Sequence, residues 1–129
     1  MTEAEVIRAC YERIVAADFP HSGEIGDDES RVKAVERSGC HGHSQNLLFY
    51  SFGIEDGMLR GLKYECQYCD VPMYIVAEVV SELIADRPVA EMDAITDEEI
   101  EALLGGRSRK LTRLTLTALC LLREAMAGQ

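Results

Sequence analysis

Five cysteines and three histidines are the residues of this 129-residue chain best suited to chemistry, and most of them fall in two short segments, CHGH at 40–43 and CQYC at 66–69. Thiolate and imidazole together are the ligand set for zinc, ferrous iron or an iron–sulfur cluster, whereas Mg²⁺ and Ca²⁺ select oxygen. Cys40, His41, His43, Cys66 and Cys69 are therefore the candidate metal ligands. A single C-x-x-C lacks the second pair that zinc-finger spacing requires, so the pair alone does not name a metal. Cys69 stands at the mouth of an expected helix, whose N-terminal end favours a thiolate. Along an extended strand Cys40 and Gly42 share one face while His41 and His43 point to the other, so the two histidines serve one ion only if CHGH already turns.

These residues need elements to position them. Between Arg31 and Cys66 lie three short runs, RVKAVERSGC, QNLLFYSFG and MLRGLKYEC, separated by CHGH and by the tip Glu55-Asp56-Gly57. They predict a three-stranded antiparallel meander, with the glycine supplying the positive φ of a tight hairpin. In a meander the first and third strands end at the same edge, which brings Cys40 and Cys66 towards one rim.

Helices account for the rest. Val6, Ile7, Cys10 and Ile14 recur at helical spacing within residues 3–17. A loop rich in Pro, Gly and Asp follows, expected to connect and not to pack. After Cys66, Asp70 can cap a helix with Pro72 in its first turn and Ile75, Val76, Val79, Val80 and Leu83 on one face, until Arg87-Pro88 stops it. Thr96 and Glu99 form a capping-box pattern for a short helix that Gly105-Gly106 ends. The last helix, from about Arg109 to Ala127, is apolar on several sides and is expected to be well buried.

Composition bounds the answer. Apolar residues at 47% and charged residues at 28% describe one ordinary globular domain over residues 1–129. A formal net charge of −10 repels phosphate backbones and anionic lipid, which argues against nucleic-acid and membrane partners. No stretch approaches the ~18 apolar residues of a membrane span, and the opening MTEAEVIRAC carries acids where a signal peptide carries bases. The chain reads as cytoplasmic, a compartment in which its cysteines stay thiols.

Some candidates have plainer readings. Cys10 and Cys120 sit on apolar helix faces, where a free cysteine behaves as a small hydrophobe. His21, in a Pro/Gly loop, reads as a surface residue. Arg107, Arg109, Lys110 and Arg113 cluster at the start of the last helix, where positive charge opposes the dipole. They either pair with Asp97, Glu98 or Glu101 or form a docking patch for an acidic partner.

The order of elements resembles the iron–sulfur cluster scaffold family of the IscU and NifU N-terminal type over nearly the whole chain. In that family a strand ends in a cysteine, a D-G hairpin follows, a second cysteine closes the next strand, and a helix begins. Here those are Cys40, Glu55-Asp56-Gly57, Cys66 and the helix from Val71, with the two cysteines 26 residues apart. SELIADRPVAEM is similar to the family's helix-end segment, with Asp86-Arg87 where a Gly-Lys pair usually stands, and DEEIEALLGG resembles its later portion. Two of the family's ligands have no counterpart: Gly42 occupies the place of an aspartate, and Leu114, preceded by Arg113, that of a third cysteine. Cys120 lies six residues farther on, about 9 Å along a helix and about 240° around it, so it does not face the same way. Cys69, His41 or His43 are closer substitutes.

The resemblance implies an α+β fold, a three-stranded antiparallel sheet with helices packed on one face. It implies a scaffold or carrier protein and not an enzyme in the usual sense. Such a protein takes sulfur as persulfide at Cys40 or Cys66, binds a transient iron–sulfur cluster, and works with a cysteine desulfurase and acceptor apoproteins. Three other readings stand beside it: a zinc-binding module built from Cys40, Cys66, Cys69 and one of His41 or His43; a sulfur-acceptor protein of the same architecture without a cluster; and a degenerate paralogue that only regulates assembly.

Overall fold

The computed structural model describes residues 1–27, 31–38 and 45–127, without the side chains of 35–38 and 45–46. Its elements follow the chain as helix α1 (Glu3–Ala16), strands β1 (Val32–Ser38), β2 (Gln45–Glu55) and β3 (Met58–Gln67), helix α2 (Val71–Ile84), a 3₁₀ turn (Val89–Ala94), and helices α3 (Asp97–Leu104) and α4 (Arg109–Ala127). The fold is α+β, with a three-stranded antiparallel sheet in the order β1-β2-β3. Among the described residues no helix is long and apolar enough to cross a membrane.

The β2–β3 hairpin forms where its turn residues allow it. Asp56 and Gly57 both take positive φ, 54° and 76°, the conformation whose twist matches that of the flanking strands. Alternation then sends Leu48 and Tyr50 of β2 and Tyr64 of β3 to one buried face. There the Tyr50 hydroxyl donates to the Ala77 carbonyl of α2 at 2.8 Å, so α2 covers that face. Side chains fully buried in this way contribute roughly 1.5–3 kcal/mol each.

Caps fix the helix starts. Thr2 and Glu5 exchange both bonds of a capping box at α1. Asp70 accepts from the Met73 amide at α2, with Pro72 in the first turn. At α3 only half of the expected box forms: Thr96 accepts from the Glu99 amide, but the Glu99 carboxylate turns to Arg87 at 2.8 Å. Gly105, at φ 75°, ends α3 in the left-handed region. Ser108 accepts from the Leu111 amide at the head of α4, and Glu3 of α1 accepts from both the Ser108 hydroxyl (2.9 Å) and the Lys110 amide (3.2 Å).

Two expectations are corrected. The segment after α1 packs as well as connects. Ser22 forms a parallel bridge to Tyr64, Gly23 donates to the Tyr64 carbonyl at 2.9 Å, Tyr64 donates to the His21 carbonyl at 3.1 Å, and Ile25 is buried. An uncovered strand edge carries unpaired amides and carbonyls, and this segment pairs some of those of β3. Helix α4 is amphipathic and not buried all round: Leu111, Thr115, Ala118, Leu119, Leu122 and Met126 face inward, while Leu116, Cys120 and Leu121 are exposed.

Candidate functional site

Strand register determines what meets at the rim of the sheet. Leu47 of β2 pairs with Glu36 of β1 on one side and with Gln67 of β3 on the other, and Leu48 pairs with Cys66. The last residues of β1 and β3, Ser38 and Gln67, therefore lie at the same end of the sheet, with β2 between them. Two strand spacings separate the outer strands by roughly 10 Å. Cys40, His41, Gly42 and His43 follow β1 and lie outside the described residues.

Cys66 and Cys69 are both half-buried, packed at the margin of the core where β3 gives way to α2. Their sulfurs are joined in a disulfide, with the Cα atoms 5.8 Å apart. The expectation that all five cysteines stay thiols is thereby corrected. The link forms because the chain turns sharply between them, with Tyr68 at φ 56° and 76% exposed. Left-handed backbone costs a residue with a Cβ about 1–2 kcal/mol, and here it sits between the two cysteines that the disulfide joins, three positions apart. Cys69 Sγ lies 3.6 Å from the Leu47 carbonyl oxygen and 3.8 Å from that of Gln67. As a thiol it could donate to either.

Cys66 borders an open hollow of about 640 Å³ between the edge of β3, the segment after α1, and α2. Its walls carry Tyr11, Phe19, Tyr64 and Tyr74 as well as Glu65. Three of the aromatic rings pack edge to face, Tyr11 on Phe19 at 6.2 Å and Phe19 on Tyr74 at 5.5 Å between centroids.

Behind that wall is a polar cluster that sequence reasoning missed. Glu78 is only 2% exposed, on a helix whose other buried residues are apolar apart from Ser81. Its Oε2 lies 2.6 Å from His21 Nδ1, and its Oε1 accepts from the His21 amide at 3.2 Å and from the Tyr64 hydroxyl at 3.0 Å. A buried carboxylate persists where donors surround it. His21 is corrected from a surface residue to a half-buried clamp on α2. The signal was a lone acid in the apolar run IVAEVV. Burial and the adjacent Glu78 charge push the Tyr64 phenol far above its ordinary range, so it stays protonated and donates.

The other candidates separate cleanly. Cys10 is buried in α1, donates to the Leu104 carbonyl at 3.0 Å, and has its thiol pushed up by desolvation, as suits a structural cysteine. Cys120 is exposed on α4, which corrects its assignment to a packed apolar face. Arg107 reaches Glu101 at 3.5 Å although it is largely exposed itself, and Arg109, Lys110 and Arg113 are exposed along the start of α4. Among the described residues no group of three or more His, Cys, Asp or Glu side chains is arranged to hold a metal ion.

Comparison with known proteins returns no matching family model and no matching curated protein.

Proposed function

We propose that this protein is a carrier in iron–sulfur cluster assembly, with Cys66 and Cys69 as its described sulfur atoms and Cys40, His41 and His43 as further ligands. One observation supports the reading above others: Cys66 and Cys69 lie side by side at the end of the sheet where β1 also terminates, two residues before Cys40 in the sequence. The resemblance in element order and in the 26-residue cysteine interval supports the same reading. Cys69 stands in for the third family cysteine, whose place is taken by the half-buried Leu114.

Sulfur enters as cargo. Once a dithiol has reduced the Cys66–Cys69 bond, a thiolate at Cys66, or that of Cys40, attacks the outer sulfur of a donor persulfide, the new S–S bond forms as the donor's breaks, and the donor cysteine departs as thiolate. Ferrous iron or zinc is then bound by the soft thiolate set, and partial exposure at the rim permits release to an acceptor protein. The chain needs no catalytic group for this beyond its thiols. Arg109, Lys110 and Arg113 form a positive surface on an otherwise acidic protein, a docking face for an acidic partner such as a cysteine desulfurase.

Anaerobic reconstitution of the reduced protein with iron and sulfide, read by absorption and Mössbauer spectroscopy, tests the proposal. Iron and sulfide bound together in wild type and lost in Cys66→Ser support it. Stoichiometric zinc that survives chelators speaks instead for a closed metal site. A persulfide at one cysteine with no metal speaks for a sulfur acceptor.

A further inference from the structure

We infer that the Cys66–Cys69 disulfide is a site of reversible thiol–disulfide exchange with a dithiol reductant, in which Cys66 is the sulfur attacked and Cys69 the one released. The inference stands on the placement of the two cysteines and does not depend on whether the rim holds metal. The chain entropy a disulfide removes from the unfolded state grows with the length of the loop it closes. This one joins cysteines only three positions apart, between the last strand of a hairpin and a capped helix. It therefore removes less chain entropy than a disulfide closing a long loop, and it lies at a half-buried margin and not in the core.

The surroundings of the two sulfurs differ in a way that sets the direction. Cys66 borders the open hollow walled by Tyr11, Phe19 and Tyr74, whereas Cys69 does not line it. Cys69 Sγ instead faces the Leu47 and Gln67 carbonyl oxygens at 3.6 and 3.8 Å. An incoming thiolate has room at Cys66, and the departing sulfur of Cys69 takes up a proton and donates to one of those carbonyls. Exposed Tyr68 between them holds left-handed backbone that opening of the ring is free to relax.

The balance is complete. One thiolate of the reductant attacks Cys66, a mixed disulfide forms, and the Cys66–Cys69 bond breaks with its electron pair on Cys69, which is protonated. The second thiol of the reductant attacks its own half of the mixed disulfide and frees Cys66. The protein gains two electrons and two protons, and the dithiol becomes a disulfide.

The test uses the full chain equilibrated with oxidised glutathione, then labelled with N-ethylmaleimide under native conditions and read by peptide mapping. One sample receives no reductant, a second dithiothreitol, and a third reduced thioredoxin. Cys66 and Cys69 are expected to be unlabelled in the first and labelled together after either dithiol, the faster arm telling a small from a protein reductant. In the two single-substitution variants, read by peptide mapping, Cys66 of Cys69→Ser is expected to form its mixed disulfide with glutathione at least about tenfold faster than Cys69 of Cys66→Ser, as access controls exchange. Labelling of both cysteines without reductant, reduction only after denaturation, or Cys69 reacting as fast as Cys66 would overturn the inference.

Discussion

His21 Nδ1 lies 2.6 Å from Glu78 Oε2, and this contact fastens the segment after α1 across the outer edge of β3. With the carboxylate gone, the Tyr64 hydroxyl and the His21 amide lose their acceptor. Glu78→Ala is therefore expected to cost about 2–4 kcal/mol in urea unfolding, combining unsatisfied donors with a small cavity. Amide exchange at Gly23 and Tyr64 should quicken with it. An unchanged midpoint with unchanged exchange would show that the clamp holds nothing.

Tyr64 links the clamp to alkaline stability. Its folded pKa is raised, chiefly by burial and then by the Glu78 charge. The stabilisation it brings is complete below the ordinary phenol value of about 10, and it is lost as pH rises, because the unfolded chain releases that proton first. Urea midpoints followed from about pH 8 to about pH 11 should fall in wild type, and more gently in Tyr64→Phe.

Glu3 behaves in the opposite sense. The Lys110 amide, followed by the Ser108 hydroxyl, holds its carboxyl below the ordinary value of 4.5. Its contribution is present above that value and disappears as pH falls through the lowered one. The stability difference between wild type and Glu3→Gln should accordingly be largest near neutrality and close in acid. A difference that persists at low pH would mean that the contact between α1 and α4 does not depend on charge.

Thr115 supplies a test with the reverse sign. Its Oγ1 is buried in α4 and has no hydrogen-bond partner among the described residues. Replacing an unsatisfied hydroxyl by a methyl of similar shape removes a desolvation penalty of about 1 kcal/mol or more. Thr115→Val should leave the protein as stable as wild type or raise its thermal midpoint, and a clear drop would reveal an acceptor within reach of that hydroxyl.

Local signals made much of the fold legible. Asp56-Gly57 specifies its turn by backbone conformation alone, and Thr2, Asp70 and Thr96 each satisfy amides within three residues of themselves. Pairing across distance was not legible. The adhesion of His21–Gly23 to β3 uses main-chain groups that every residue possesses, and Glu78 is explained only by donors 57 and 14 residues away. The exposure of Leu116 and Leu121 escaped detection because α4 has more leucines than its inner face can hold. For the site, Cys66 and Cys69 stood out by spacing, but whether they are joined depends on the left-handed turn at Tyr68, a conformation that tyrosine does not advertise.

The central claim is that sulfur atoms at this rim act together on a metal ion. Cobalt(II) titration of the dithiothreitol-reduced full chain reads this directly through the thiolate-to-cobalt absorption band. The account predicts a band that saturates stoichiometrically in the reduced protein, is absent while Cys66 and Cys69 remain joined, and is lost in Cys66→Ser. A band of equal strength in the oxidised protein or in Cys66→Ser, or none in reduced wild type, would contradict it.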